Sequence, residues 1–191
     1  MTFSDMTWAN PPPQSRIDGD TLTLTTGDRT DFWRKTHYGF IRDTGHFLHH
    51  PVSGDFTAEV TISARYEALY DQAGLMLRLD ETRWVKAGIE YTDGQAFFST
   101  VITNDRSDWS IVALPFPADR LRLRLRLTRH SDAVRVQVQR PDGGWLMTRL
   151  GYLEAGPALI GVMACSPERA GFTAQFHDYT CGPAIDRTLH D

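Results

Sequence analysis

Lys86 and Glu90 lie on the same face of an alternating run, RWVKAGIEY (83–91), with Gly88 between them. In an extended chain Trp84, Lys86, Gly88 and Glu90 point one way and Val85, Ala87, Ile89 and Tyr91 the other. Residues two apart on one face are separated by about 7 Å, within joint reach of two flexible side chains. A lysine and a glutamate set beside a residue without a side chain form a polar anchor for a hydroxyl-rich or acidic ligand. YDQAG (70–74) adds Asp71 and Gln72, and SDWS (107–110) adds Asp108 and Trp109. An indole beside a carboxylate suits a sugar, the ring stacking on the indole and the acid taking its hydroxyls; the same pair also finishes ordinary cores. His46, close to the DTG turn (43–45), is a further candidate for the pocket wall. Ligand-binding candidates are therefore Lys86, Glu90, Gln72, Asp71, His46, Asp108 and Trp109.

Other chemistries lack their residues. His46, His49 and His50 fall in GHFLHHP without an HExxH or cysteine pattern, and a strand sends His49 and His50 to opposite faces, so no metal site is expected. Glu90 has no second glutamate at strand spacing, so the paired carboxylates of a glycosidase would have to be assembled by the fold. No glycine-rich phosphate loop occurs, and ACSPE (164–168) lacks the glycines of a nucleophile elbow. No residue is assigned a catalytic role and no cofactor is expected.

These side chains need strands to hold them. DFTAEVTISARY (55–66), GLMLRLD (74–80), QAFFSTVIT (95–103), RLRLRLRLTR (120–129), AVRVQVQR (133–140), WLMTRL (145–150), ALIGVMAC (158–165) and GFTAQFHDYT (171–180) are short, turn-bounded and mostly alternating. About a dozen such strands imply a β-sandwich. The expected core is Phe56, Ala58, Val60, Ile62 and Ala64; Leu75, Leu77, Leu79; Val85 to Tyr91 at odd positions; Leu121 to Leu127 at odd positions; and Val134, Val136, Val138. Arg120, Arg122, Arg124 and Arg126 then form a solvated ladder outside. A second face carrying Gly74, Met76, Arg78, Lys86, Gly88, Glu90, Leu159, Gly161, Met163 and Cys165 reads as a concave floor that leaves room for a ligand.

The chain has 191 residues and a formal net charge of −4. One domain over 1–191, with its core at about 8–180, is expected, and general attraction to nucleic acid or acidic membranes is not. The N-terminus MTFSDMTWANPPPQSR has no basic start or apolar run, and no stretch approaches the roughly 20 apolar residues of a membrane span. Cys165 and Cys181 form no metal or redox motif and fit free thiols in the cytoplasm.

The ordered set TDFWRKTHYGF, DTGHFL, YDQAGLMLRLDETRWVKAGIEY, SDWS, PDGGWLMTRLGYL and GVMACSPERAGFTAQFHDY resembles an uncharacterised family of concanavalin A-like domains, sometimes labelled regulators of enolase. The resemblance covers roughly residues 8 to 180. It implies an all-β, jelly-roll β-sandwich of two antiparallel sheets, one of them concave, and supplies no reaction. The leading expectation is a non-catalytic domain binding a carbohydrate or similar polar small molecule. The alternatives are an intracellular protein-interaction or regulatory module, and a carbohydrate-active enzyme built on Glu90.

Overall fold

The structure, a computed structural model, describes residues 2–114 and 122–189. The described residues form sixteen strands, one short 3-10 turn (Phe3–Asp5) and no α-helix. Sheet A has the order β1 (Thr7–Ala9), β6 (His46–Val52), β15 (Ala158–Cys165), β8 (Gln72–Arg78), β9 (Arg83–Thr92), β10 (Gln95–Asn104) and β11 (Arg106–Ala113). Sheet B has the order β14 (Trp145–Tyr152), β13 (Ala133–Gln139), β12 (Arg122–His130), β7 (Phe56–Ala64), β16 (Thr173–Gly182), β3 (Thr21–Thr25) and β2 (Gln14–Asp18). A separate ribbon pairs β4 (Phe32–Arg34) with β5 (Ile41–Asp43). Every strand pairing is antiparallel.

Alternation places the core between the two sheets. Leu75, Leu77, Val85, Ala87 and Ile89 of sheet A join Val60, Ile62, Leu125, Leu127, Val134 and Val136 of sheet B in one apolar cluster. Leu123 is buried with them while Arg122 and Arg124 are exposed, so the arginine ladder faces outward. Arg124 reaches Glu59 on the neighbouring strand at 2.6 Å. Arg120 and Leu121 lie outside the described residues. Ala64, Leu79 and Tyr91, expected in the core, are only half-buried because they sit at strand ends.

The face of sheet A turned away from sheet B is not an open floor. Phe47, Met76, Trp84, Val101, Met163 and Cys165 on that face form a second apolar cluster, closed by Phe32 from the ribbon. Several ties hold the ribbon down. Arg78 donates to both carboxylate oxygens of Asp43 at 2.6 and 2.7 Å, Arg34 donates its backbone N–H to Ser107 Oγ at 2.9 Å, and Lys35 pairs with Asp105 at 2.7 Å.

The glycines serve this face differently from the sequence reading. Gly74 and Gly88 are directly opposed on β8 and β9. A Cβ on Gly74 would lie 1.9 Å from Ala87 O, and one on Gly88 would lie 2.1 Å from Ala73 O. The missing side chains admit the neighbouring backbone, not a ligand. Both cysteines are free, Cys165 fully buried and Cys181 partly so.

Candidate functional site

Where the apolar cluster ends, a pocket of about 300 Å³ opens between the outer face of sheet A, the ribbon and the loops around residues 69 and 167. Its floor holds Lys86, Glu90, Gln72 and Asp31, each less than a tenth exposed. Trp33, Tyr38, Phe40, Tyr70 and Trp109 supply aromatic walls. Across the walls the hydroxyls of Tyr38 and Tyr70 are 3.1 Å apart.

Register explains how the floor comes together. Gln72 is paired directly with Glu90, Lys86 with Val101, and Val101 with Trp109. All point to the outer face. Trp109 donates its indole N–H to both Glu90 Oε2 and Ser99 Oγ, each at 3.1 Å, which fixes the ring plane beside the carboxylate. Gln72 donates to the backbone oxygen of Tyr70 at 3.2 Å.

Lys86 makes no direct bond to Glu90, although the spacing put the two within joint reach. It donates to Asp31 Oδ1 at 3.2 Å, and Asp31 enters the site from the chain leading into the ribbon. The same oxygen accepts the Phe32 backbone N–H at 2.8 Å. The Lys86 ammonium also stands 5.9 Å from the centre of the Trp84 ring, a favourable side for a cation. Burial works against the ammonium, but the field of Asp31, with Cys165 and Glu90 behind it, outweighs burial and raises its pKa. Burial pushes Glu90 above the usual carboxylate range, and Lys86, Ser99 and Trp109 only partly offset it. The hydrogen bond to Tyr38, followed by burial, pushes Tyr70 up to about 12. Burial raises the Cys165 thiol strongly, which disfavours its thiolate form.

Hydrogen-bonding capacity is left over at the floor. Among the described residues Lys86 uses one of three N–H donors, Glu90 accepts from Trp109 and Ser99 with lone pairs to spare, and Gln72 Oε1 accepts nothing. Buried polar groups are normally satisfied, so spare donors and acceptors around a cavity are a signature of a binding site.

Of the seven residues expected to bind, Lys86, Glu90, Gln72 and Trp109 line this pocket. His46, Asp71 and Asp108 do not. Strand alternation puts each of them on the opposite parity, toward sheet B or the strand end. His46 Nδ1–H donates to Asn10 O at 2.7 Å, and Nε2 accepts the Gly27 N–H at 2.9 Å; burial lowers its pKa. Asp71 is fully buried under Arg169 and Ser166, accepting the Ser166 hydroxyl at 2.7 Å and the backbone N–H groups of Glu67 and Ala68. Asp108 pairs with Arg149 of sheet B at 2.8 Å. The sequence alone gave Asp31, Tyr38 and Tyr70 no role in the site. Their signal was the aromatic density of DFW, HYGF and LYDQ, segments without strand periodicity.

Residues 8–184 match the family described as "Protein of unknown function (DUF1349)". The chain is 41% identical over 190 residues to "Regulation of enolase protein 1" of Saccharomyces cerevisiae, covering 99% of this chain and 95% of that relative. A crystal structure of a functionally unknown protein from the same yeast superposes with a TM-score of 0.92 at 40% identity, covering 97% of this chain and all of the other. The carbohydrate-binding module CBM66 from Bacillus subtilis shares the β-sandwich at a TM-score of 0.62 and 14% identity, over 93% and 96% of the two chains. The chain belongs to the DUF1349 family, and its fold is a concanavalin A-like β-sandwich.

Proposed function

We propose that this member of the DUF1349 family is a non-catalytic binding domain for a small hydroxyl-rich ligand, a sugar or similar polyol, held in the aromatic-walled pocket. The observation that carries this reading is the floor. Four buried polar side chains meet there with donors and acceptors unspent, under walls of Trp and Tyr. A hydroxyl both donates and accepts, so a polyol meets Lys86 with its oxygens and Glu90 with its hydrogens. Indole and phenol faces cover the apolar face of a sugar ring. The volume lies at the small end of ligand pockets, enough for one or two rings and not for a chain laid along the sheet. The likeness to a carbohydrate-binding module supports the scaffold and says nothing of the ligand. Two unpaired cysteines support a cytoplasmic setting.

The name of the yeast relative supports a second reading, a protein partner of the enolase kind, for which the exposed Tyr38, Ile41 and Leu69 around the pocket offer a docking rim. One experiment separates them. A thermal-shift screen of glycans and polar metabolites, repeated with purified enolase, is expected to yield a small ligand that raises the melting temperature by mass action. Glu90→Gln should keep the fold and weaken that ligand by roughly 1–3 kcal/mol in calorimetry. Equal binding by Glu90→Gln and the parent would remove the pocket from consideration. A response to enolase alone would favour the second reading.

A further inference from the structure

The floor of the pocket is out of charge balance. Lys86 is the one cation buried there among the described residues, and Asp31, at 3.2 Å, is its partner. Glu90 is a second buried carboxylate, and the groups that hydrogen-bond it, the Trp109 indole and the Ser99 hydroxyl, are both neutral. Among the described residues no cation besides Lys86, already paired with Asp31, answers it. Arg42 at the pocket wall lies over the Phe40 ring, 4.7 Å from its centre, and Glu168 at the mouth adds negative charge. The walls extend the same preference, because the faces of Trp33, Tyr38, Tyr70 and Trp109 carry negative quadrupoles that attract cations. Burial without a counter-charge disfavours the ionised form of Glu90, consistent with its raised pKa.

Resting on the pocket-binding reading above, we infer that the ligand is an amine-bearing polyol, of the amino-sugar class, whose ammonium pairs with Glu90 while its hydroxyls meet Lys86, Gln72 and Asp31. An anionic sugar would face two carboxylates against one lysine. A neutral sugar would meet the hydroxyl contacts and leave Glu90 uncompensated. A bare ammonium ion would use the aromatic walls and Glu90 but leave Lys86 and Gln72 unsatisfied. Only a ligand with both groups fits the whole floor.

Isothermal titration with matched probes tests this at a pH that keeps the amines protonated. The probes are glucose, galactose and mannose, their 2-amino forms, the N-acetyl forms of those amines, and choline. At least one amino sugar should bind about tenfold or more tighter than its neutral parent and its N-acetyl form, since a charge-assisted bond replaces a neutral one. Glu90→Gln, which keeps an acceptor for Trp109, should bring that ratio close to one. A neutral sugar that binds as tightly as its amine overturns the inference and leaves the pocket-binding reading standing. Choline binding as tightly as the best amino sugar overturns the polyol half. Silence from every probe overturns the amino-sugar assignment, and the broader glycan and metabolite screen then decides the pocket reading separately. If Glu90→Gln does not fold, the ratios in the parent protein decide alone.

Discussion

At the scale of single residues, the energetics of the site turn on Lys86. Its ammonium is nearly inaccessible and shares the floor with two carboxylates, so deleting its charge strands both. Lys86→Met should therefore destabilise the protein by about 3–5 kcal/mol, as removal of one member of a buried ion pair does. Adding Asp31→Asn should recover part of that loss, because the second substitution removes a charge the first left unpaired. Urea denaturation of the two single variants and the double variant measures the coupling. Simple additivity of the two costs would mean that the 3.2 Å contact contributes nothing. The floor residues at positions 72, 86 and 90, and the wall residue at 109, were legible in the sequence, because parity along one strand is readable from spacing. The partner of Lys86 was not, since Asp31 reaches it from 55 positions upstream through the tertiary path of the ribbon. His46, Asp71 and Asp108 were misplaced for a related reason. Residue type names a group that can bind, but in YDQ and SDW adjacent positions point to opposite faces, and only cross-strand register decides which one reaches the pocket.

At the scale of elements, β8 and β9 matter most, since they carry Gln72, Lys86 and Glu90. The opposed glycines bring the backbones of these strands into direct contact on the outer face. Gly88→Ala would drive a methyl group into Ala73 O, and rigid backbone on both sides leaves it nowhere to go. The expected cost is about 2 kcal/mol or more, from overpacking. Because any relief must part β8 from β9, ligand affinity should fall as well. A melting curve and a titration on the same variant check both, and unchanged stability would show that the strands have slack. The longer strands of the sandwich were readable because their period-two pattern runs over seven to ten residues. The three-residue strands of the ribbon are too short to show a period. Their aromatic and charged residues therefore read as loop, although they close the second apolar cluster and wall the pocket.

At the scale of the whole molecule, the sandwich keeps its main core between the sheets and puts its spare chemistry on one outer face. The other outer face is given to the arginine ladder and its acidic neighbours. The five tryptophans divide along the same line. Trp33 and Trp109 line the pocket and Trp84 is sealed beneath Lys86. Trp8 lies in the edge strand β1, and Trp145 lies in β14 at the far edge of sheet B with the Arg126 guanidinium 4.0 Å above its ring. The protein thus has its own optical reporter. A ligand that fills the pocket displaces water from Trp33 and Trp109 and alters the carboxylate to which Trp109 is bonded, while Trp8 and Trp145 remain dark to the event. Intrinsic emission should change in colour or yield on binding, and most of that change should vanish in Trp109→Phe. A full response surviving in that variant would move the site away from β11. Any compound library can therefore be read by light alone, without a label and before the ligand has a name.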